Sequence, residues 1–171
     1  MTIRQSFVST APARGIPGDS ASRNPEVYAV GNPVAWGGPV TVGRFVWLRG
    51  TAGSGAPLVG ATAGRSGGVP LGIVSRSLTH PADDLAMTSD PEAALCVPEG
   101  TSVRVLVNGD VFALSQTAAT VSQAVFAHTD GSGLSTADPG TPVEGAVETG
   151  WRVSVGGNAG DVIVISNWGW V

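Results

Sequence analysis

Ser102-Val103-Arg104-Val105-Leu106-Val107-Asn108-Gly109-Asp110-Val111-Phe112-Ala113-Leu114-Ser115 is the stretch on which the fold reading turns. Asn-Gly supplies the two positive φ angles of a type I′ turn, and apolar residues crowd both flanks. The spacing predicts a hairpin of Ser102–Val107 and Asp110–Ser115. Val107 then faces Asp110, Val105 faces Phe112 and Val103 faces Leu114. One face is nearly all apolar (Val103, Val105, Val107, Phe112, Leu114), and the other carries Arg104 and Ser115. The pattern is that of a half-buried antiparallel ribbon.

Outward from this ribbon, strands are expected at Glu26–Val30, Val40–Leu48, Leu71–Leu78, Trp151–Val155 and Val162–Asn167. Val40–Leu48 is apolar on both faces, with Val40, Val42, Val46 and Leu48 on one and Phe45 and Trp47 on the other. That predicts burial on both sides, with Gly43 as a bulge. Gln116–His128 fits helical spacing through Val121, Ala124, Val125 and His128. It also fits a strand at Val125-Phe126, and the strand reading is taken from Ala124. Gly50–Gly68 reads as a long mobile loop and His80–Pro91 as a polar one. Thr41–Trp47 resembles Thr120–Phe126, and Gly68–Val74 resembles Gly140–Val147. Each half reads as strand, loop, Gly-x-Pro, strand, which favours one pseudo-symmetric body. The expected fold is all-β: a single β-sandwich, jelly-roll-like or barrel domain over 26–171. Residues 1–25, broken by Pro and Gly, form an extended N-terminal arm.

Composition narrows the function. The net charge is −4, and all nine basic residues are arginines scattered from Arg4 to Arg152. A phosphate-binding face needs clustered cations, so no nucleic-acid partner is expected. No stretch approaches the ~18 consecutive apolar residues of a membrane span. Met1–Ser6 lacks the apolar core of a signal peptide, so no membrane partner or export is expected. The single Cys96 lies in an apolar run and reads as a small buried hydrophobe, not a nucleophile.

Catalytic and metal constellations are weak. Gly18-Asp19-Ser20 matches the start of an esterase motif, but the Asp-x-x-His that should complete it is missing. Gly50–Gly55 suggests a phosphate loop, yet the chain has no lysine. Asp83, Asp84, Asp90 and Glu92 lack EF-hand spacing. No enzyme activity, cofactor or metal is therefore expected. Of the five tryptophans, Trp47 and Trp151 read as core. Trp168 and Trp170 are open between interface and core.

Gly15–Gly18, Val40–Trp47, Pro70–Arg76, Val107–Phe112, Val143–Trp151 and Gly160–Gly169, in this order, resemble the structural cement (capsid decoration) proteins of tailed phages. The resemblance covers nearly the whole chain. It implies a cement subunit made in the host cytoplasm and bound to the outer surface of a mature shell. The shell partner would be an HK97-type major capsid protein, stabilised against internal DNA pressure. Self-association as a homotrimer or homodimer is implied as well. Phe7, Ile16, Pro17, Trp168 and Trp170 are the expected contacts to capsid or neighbouring copies. The competing expectation is a tail or spike component that adheres to host glycans.

Overall fold

The computed structural model describes residues 14–64, 68–77 and 96–168. Among them the chain is all-β, with thirteen strands and no helix. A six-stranded sheet contains β1 (Val27–Tyr28), β2 (Val34–Ala35), β4 (Phe45–Thr51), β5 (Pro57–Gly60), β6 (Gly72–Val74) and β8 (Val105–Asn108), in the order β1-β8-β6-β4-β5-β2. A five-stranded sheet contains β9 (Asp110–Leu114), β10 (Ala124–His128), β11 (Leu134–Ala137), β12 (Ala146–Val155) and β13 (Val162–Ser166), in the order β11-β10-β12-β13-β9. β3 (Val40–Thr41) and β7 (Cys96–Val97) form a small ribbon.

The first sheet curls until β2 meets the approach to β8. Ala35 N–H donates to Thr101 O (3.0 Å), Gly100 N–H to Ala35 O (2.9 Å) and Val103 N–H to Pro33 O (2.7 Å). The curl encloses Ala35, Val40, Val46, Val59, Val74, Val97, Val103 and Val105. The outer face of the same sheet carries Phe45, Trp47, Ile73 and Leu106. These pack on Val111, Ala113, Val125, Leu134, Trp151, Val153, Ile163 and Ile165 of the second sheet. Phe45–Trp47 of β4, all of β6 and the first two residues of β8 are thus buried on both sides, as the double apolar face of Val40–Leu48 leads one to expect. Leu48 is the exception, at 58% exposed.

The expected hairpin at Asn108-Gly109 does not form. β8 pairs with β6 and β1, whereas β9 pairs with β13, so the chain steps from one sheet to the other between them. Asn108 is not at positive φ, and only Gly109 (φ +153°) is. The predicted common face is lost as well. Val103 and Val105 point into the first core, Val111 and Ala113 into the second, and Leu114 is exposed. Two-residue periodicity cannot tell which neighbour a strand pairs with, and the core between the sheets outweighed the local turn preference.

Gly43 is likewise a turn, not a bulge. Its φ is +78°, and Arg44 N–H donates to Thr41 O (3.2 Å), which separates β3 from β4. The bulge in this segment lies between Leu48 and Gly50. The expected loop 50–68 contains β5, returned to β4 through a turn at Ala52–Ala56. β11 had no counterpart in the sequence reading. The loop 80–91 lies outside the described residues.

The internal repeat is real in structure. Arg44→Thr41 and Gln123→Thr120 are the same turn at 3.2 Å, with Gly43 (+78°) and Ser122 (+74°) in the same conformation. Gly43 N–H donates to Val74 O and Ser122 N–H to Val153 O, so Val153 is the counterpart of Val74; the sequence match had pointed to Val147. The strand orders β1-β8-β6-β4-β5 and β9-β13-β12-β10-β11 then correspond. Val46 points into the first core and Val125 into the second, so the halves stack in the same sense.

Ile73 is fully buried between the sheets. Ile73→Ala is expected to lose about 2–5 kcal/mol in chemical denaturation, through lost transfer energy and a cavity. Leu48→Ala, at an exposed position, is expected to stay within about 0.5 kcal/mol.

Candidate interaction surface

β9 is an edge strand, and the N-terminal segment is fastened along it. Gly18 N–H donates to Phe112 O (2.8 Å), Phe112 N–H to Asp19 O (3.0 Å) and Ala21 N–H to Asp110 O (2.9 Å). Side chains reinforce this ladder. The carboxylate of Asp110, 8% exposed, accepts from Ser22 Oγ and Asn24 Nδ2, both at 2.6 Å, and from Ser166. Burial alone would push the Asp110 carboxyl up. The hydrogen bonds from Ser166, Ser22 and Asn24 outweigh burial and hold it below its ordinary value. Further along, Arg14 donates to Gly156 O, and Arg76 N–H donates to Gly18 O (2.9 Å). The Arg76–Asp19 ion pair (3.8 Å) is solvent-exposed and contributes little.

Gly18 and Gly43 make this seating possible. Both are at positive φ. A Cβ on Gly18 would come within 2.3 Å of Val42 Cγ1, and one on Gly43 within 2.6 Å of Pro17 Cβ. The segment therefore lies directly on the Val42–Arg44 turn, with a glycine at each point of closest approach.

The expected contact residues fall at two places along this rail. Ile16 is 44% exposed beside the Phe112 end. Pro17 is half-buried and lines a cleft of about 280 Å³ with Val42, Arg44, Leu114, Gln116 and Leu134. Trp168 lies just past β13, near the Asp110 end. It is partly buried, its N–H donates to Ser166 Oγ (3.2 Å), and its Nε1 is buried with no hydrogen-bond partner among the described residues. Phe7 and Trp170 lie outside the described residues.

The sequence reading assigned no role to Trp36, yet this indole is 54% exposed. Its N–H is tied to Val59 O (2.8 Å), and Gly37 N–H donates to Glu99 Oε1 (2.9 Å). Leu48 is the register partner of Val59, so two exposed apolar side chains flank β5. A large side chain presented outward on an anchored backbone is an interface feature. The available signal was Gly37-Gly38 directly after the apolar run Val34-Ala35-Trp36, which marks a strand end at the surface.

A hydrolase would need Ser20 beside a histidine. Ser20 Oγ instead donates to Ser22 O (2.9 Å), while His128 Nε2 bonds Ser135 Oγ (2.6 Å) across β10 and β11. Ser135 is buried. His80 lies outside the described residues. Among the described residues no three His, Cys, Asp or Glu side chains converge as a metal site.

These features describe a structural binding module, whose outward chemistry is apolar side chains on a braced β scaffold. A family model described as structural cement protein (E217 gp24/Pam3 gp6) matches residues 3–167, and the chain belongs to that family. A chain from the capsid of Myoviridae phage XM1 has the same fold, with a TM-score of 0.62 at 18% identity, covering 99% of this chain and 100% of that one. No curated protein matches the sequence. The role is that of a capsid cement protein of a phage virion, and the tail or spike alternative is not favoured.

Asp110→Ala is expected to loosen the N-terminal segment, leaving Ser22 and Asn24 without their acceptor, at a stability cost of about 1–3 kcal/mol. Faster tryptic cleavage at Arg14 and Arg23 is the readout. The folded carboxyl lies below its unfolded value of 3.8, so its contribution is complete above that pH and lost as pH falls through the folded value. Acid titration of wild type against the variant should diverge only above that window.

Proposed function

We propose that the protein is made in the host cytoplasm and binds the outer surface of a mature shell built from an HK97-type major capsid protein. It acts there as a homodimer or homotrimer and opposes the outward pressure of packaged DNA. Residues 1–25 serve as the arm and 26–171 as the body. Phe7, Ile16, Pro17, Trp168 and Trp170 make the contacts to capsid or neighbouring copies.

The observation that carries this reading is the exposed Ile16 on a segment clamped to β9 from Gly18 to Asn24. A clamped anchor loses little conformational freedom when a partner covers it, so more of its burial appears as affinity. Several such anchors on a symmetric oligomer add by effective concentration, and binding only the expanded shell stabilises that state. An acidic, lysine-free chain with no basic cluster suits a position where nucleic acid is not the ligand.

The test is sedimentation with emptied, expanded capsids of the cognate phage beside unexpanded procapsids. Saturable binding to the expanded shell at a fixed ratio to capsid subunits is expected. Ile16→Asp should weaken it by about tenfold, or about 1.4 kcal/mol, with the fold intact by circular dichroism. Binding to neither shell would reject the proposal, and unchanged binding of Ile16→Asp would reject the contact assignment.

A further inference from the structure

Asn108-Gly109 marks the step between the two sheets. It is also the dipeptide in which a peptide chain most readily modifies itself. The nitrogen of Gly109, losing its proton, can attack Cγ of Asn108. A Cγ–N bond forms, ammonia leaves, and a succinimide ring results. Water then opens the ring at either carbonyl, giving aspartate or isoaspartate. Glycine favours the attack because no Cβ shields its nitrogen.

The surroundings of this dipeptide oppose each step. Gly109 N–H donates to Asn167 Oδ1 at 2.9 Å. Asn167 Nδ2 donates to Val107 O at 2.6 Å, and Asn167 N–H reaches Gly109 O at 3.4 Å. The amide orientation of Asn167 is fixed by these partners, since a backbone N–H only donates and a carbonyl only accepts. One side chain thus grips the backbone on both sides of Asn108 and occupies the attacking N–H. The electrophile is also unaided. Among the described residues Asn108 Oδ1 is buried with no hydrogen-bond partner, so negative charge developing there during attack finds no donor among them.

We propose that Asn108-Gly109 is a latent self-modification site, that its reagents are the Gly109 amide and water, and that Asn167 keeps it closed. Opening the site has a structural consequence. Aspartate would place a carboxylate where the buried oxygen has no donor. Isoaspartate would insert an extra methylene into the backbone at the only residues joining β8 to β9. Asn167 acts as a positioning residue for the backbone, and the claim is independent of what the protein binds.

The experiment ages the purified full chain in mildly alkaline buffer and follows the Asn108 peptide by mass spectrometry. The wild type in urea serves as the unprotected reference. The folded wild type should convert at least about tenfold more slowly than the urea sample, the protection given by a local opening cost of about 1.4 kcal/mol. Asn167→Ala, checked as folded by circular dichroism, should approach the unprotected rate. Asn167→Asp, which keeps an acceptor for Gly109 N–H, should remain slow. Ile73→Ala, which weakens the core without touching the grip, should convert like wild type. Equal rates in folded and urea-treated wild type would overturn the proposal whether or not the variants fold. Equal acceleration in Ile73→Ala and Asn167→Ala would also overturn it, because global unfolding would then carry the reaction.

Discussion

The step between β8 and β9 is where the parts of this protein are held together. Two strands adjacent in sequence belong to different sheets, and only Gly109 lies between them. Such a step leaves backbone groups that neither sheet can satisfy. Asn167, just beyond β13, supplies the missing donor and acceptor to Val107 and Gly109. One residue on, Asp110 gathers Ser22, Asn24 and Ser166 around a single carboxylate. The two sheets, the N-terminal segment and the end of the last strand therefore meet within three residues. A buried carboxylate is tolerated only when donors surround it, and Ser22, Asn24 and Ser166 supply them here.

The stacked halves follow from a different constraint. Each half presents one apolar face inward, and the first half also buries its other face against the second. The second half repeats the turn, the strand order and the inward face. Among the described residues its outer face has no third layer, and local coverage serves instead. Phe126, the counterpart of the core residue Trp47, is only 3% exposed although it lies outside both cores. Phe112 is overlaid by the segment at Gly15, where a Cβ would come within 2.5 Å of its ring. The N-terminal segment thus does part of the work that a third layer would do.

What the sequence could reveal followed from how local each cause was. Double-sided burial of Phe45–Trp47, the strand from Ala124, and the repeat of Thr41 with Thr120 were legible, because each depends on residues within a few positions. The fate of Asn108-Gly109 was not. The turn preference of that pair is a local effect of modest size; the core between the sheets outweighs it, and Asn167, nearly sixty positions away, satisfies the backbone of the resulting step. β11 was hidden because it is short and carries only Leu134 as a large apolar residue; its second edge is held by Gln116 N–H to Leu134 O (3.0 Å) and Thr136 N–H to Thr117 Oγ1 (2.8 Å), not by a strand. Ile16 and Pro17 are proposed as contacts from their place in a Pro- and Gly-broken segment, and the fold leaves Ile16 exposed and Pro17 half-buried. Trp36 was passed over because exposure of an indole at a strand end depends on how the sheet curls, which no window of sequence records.

The treatment of sheet edges bears on how a cement protein of this shape can associate. β9 is covered by residues 18–21, β11 by Gln116–Ala118, and β2 by residues 100–103. β1, β3 and β7 are two residues long. Among the described residues no long bare edge is left for strand addition, which is also what prevents copies from polymerising edge to edge. Among the described residues, what the body presents outward is then side chains carried on the scaffold. Ile16, Trp36 and Leu48 are such side chains, each projecting from backbone already hydrogen-bonded or packed within the body. Contacts of this kind give each site a modest affinity with sharp geometry. That combination suits a subunit whose strength comes from the number of sites it joins on a repeating lattice, and not from any one of them.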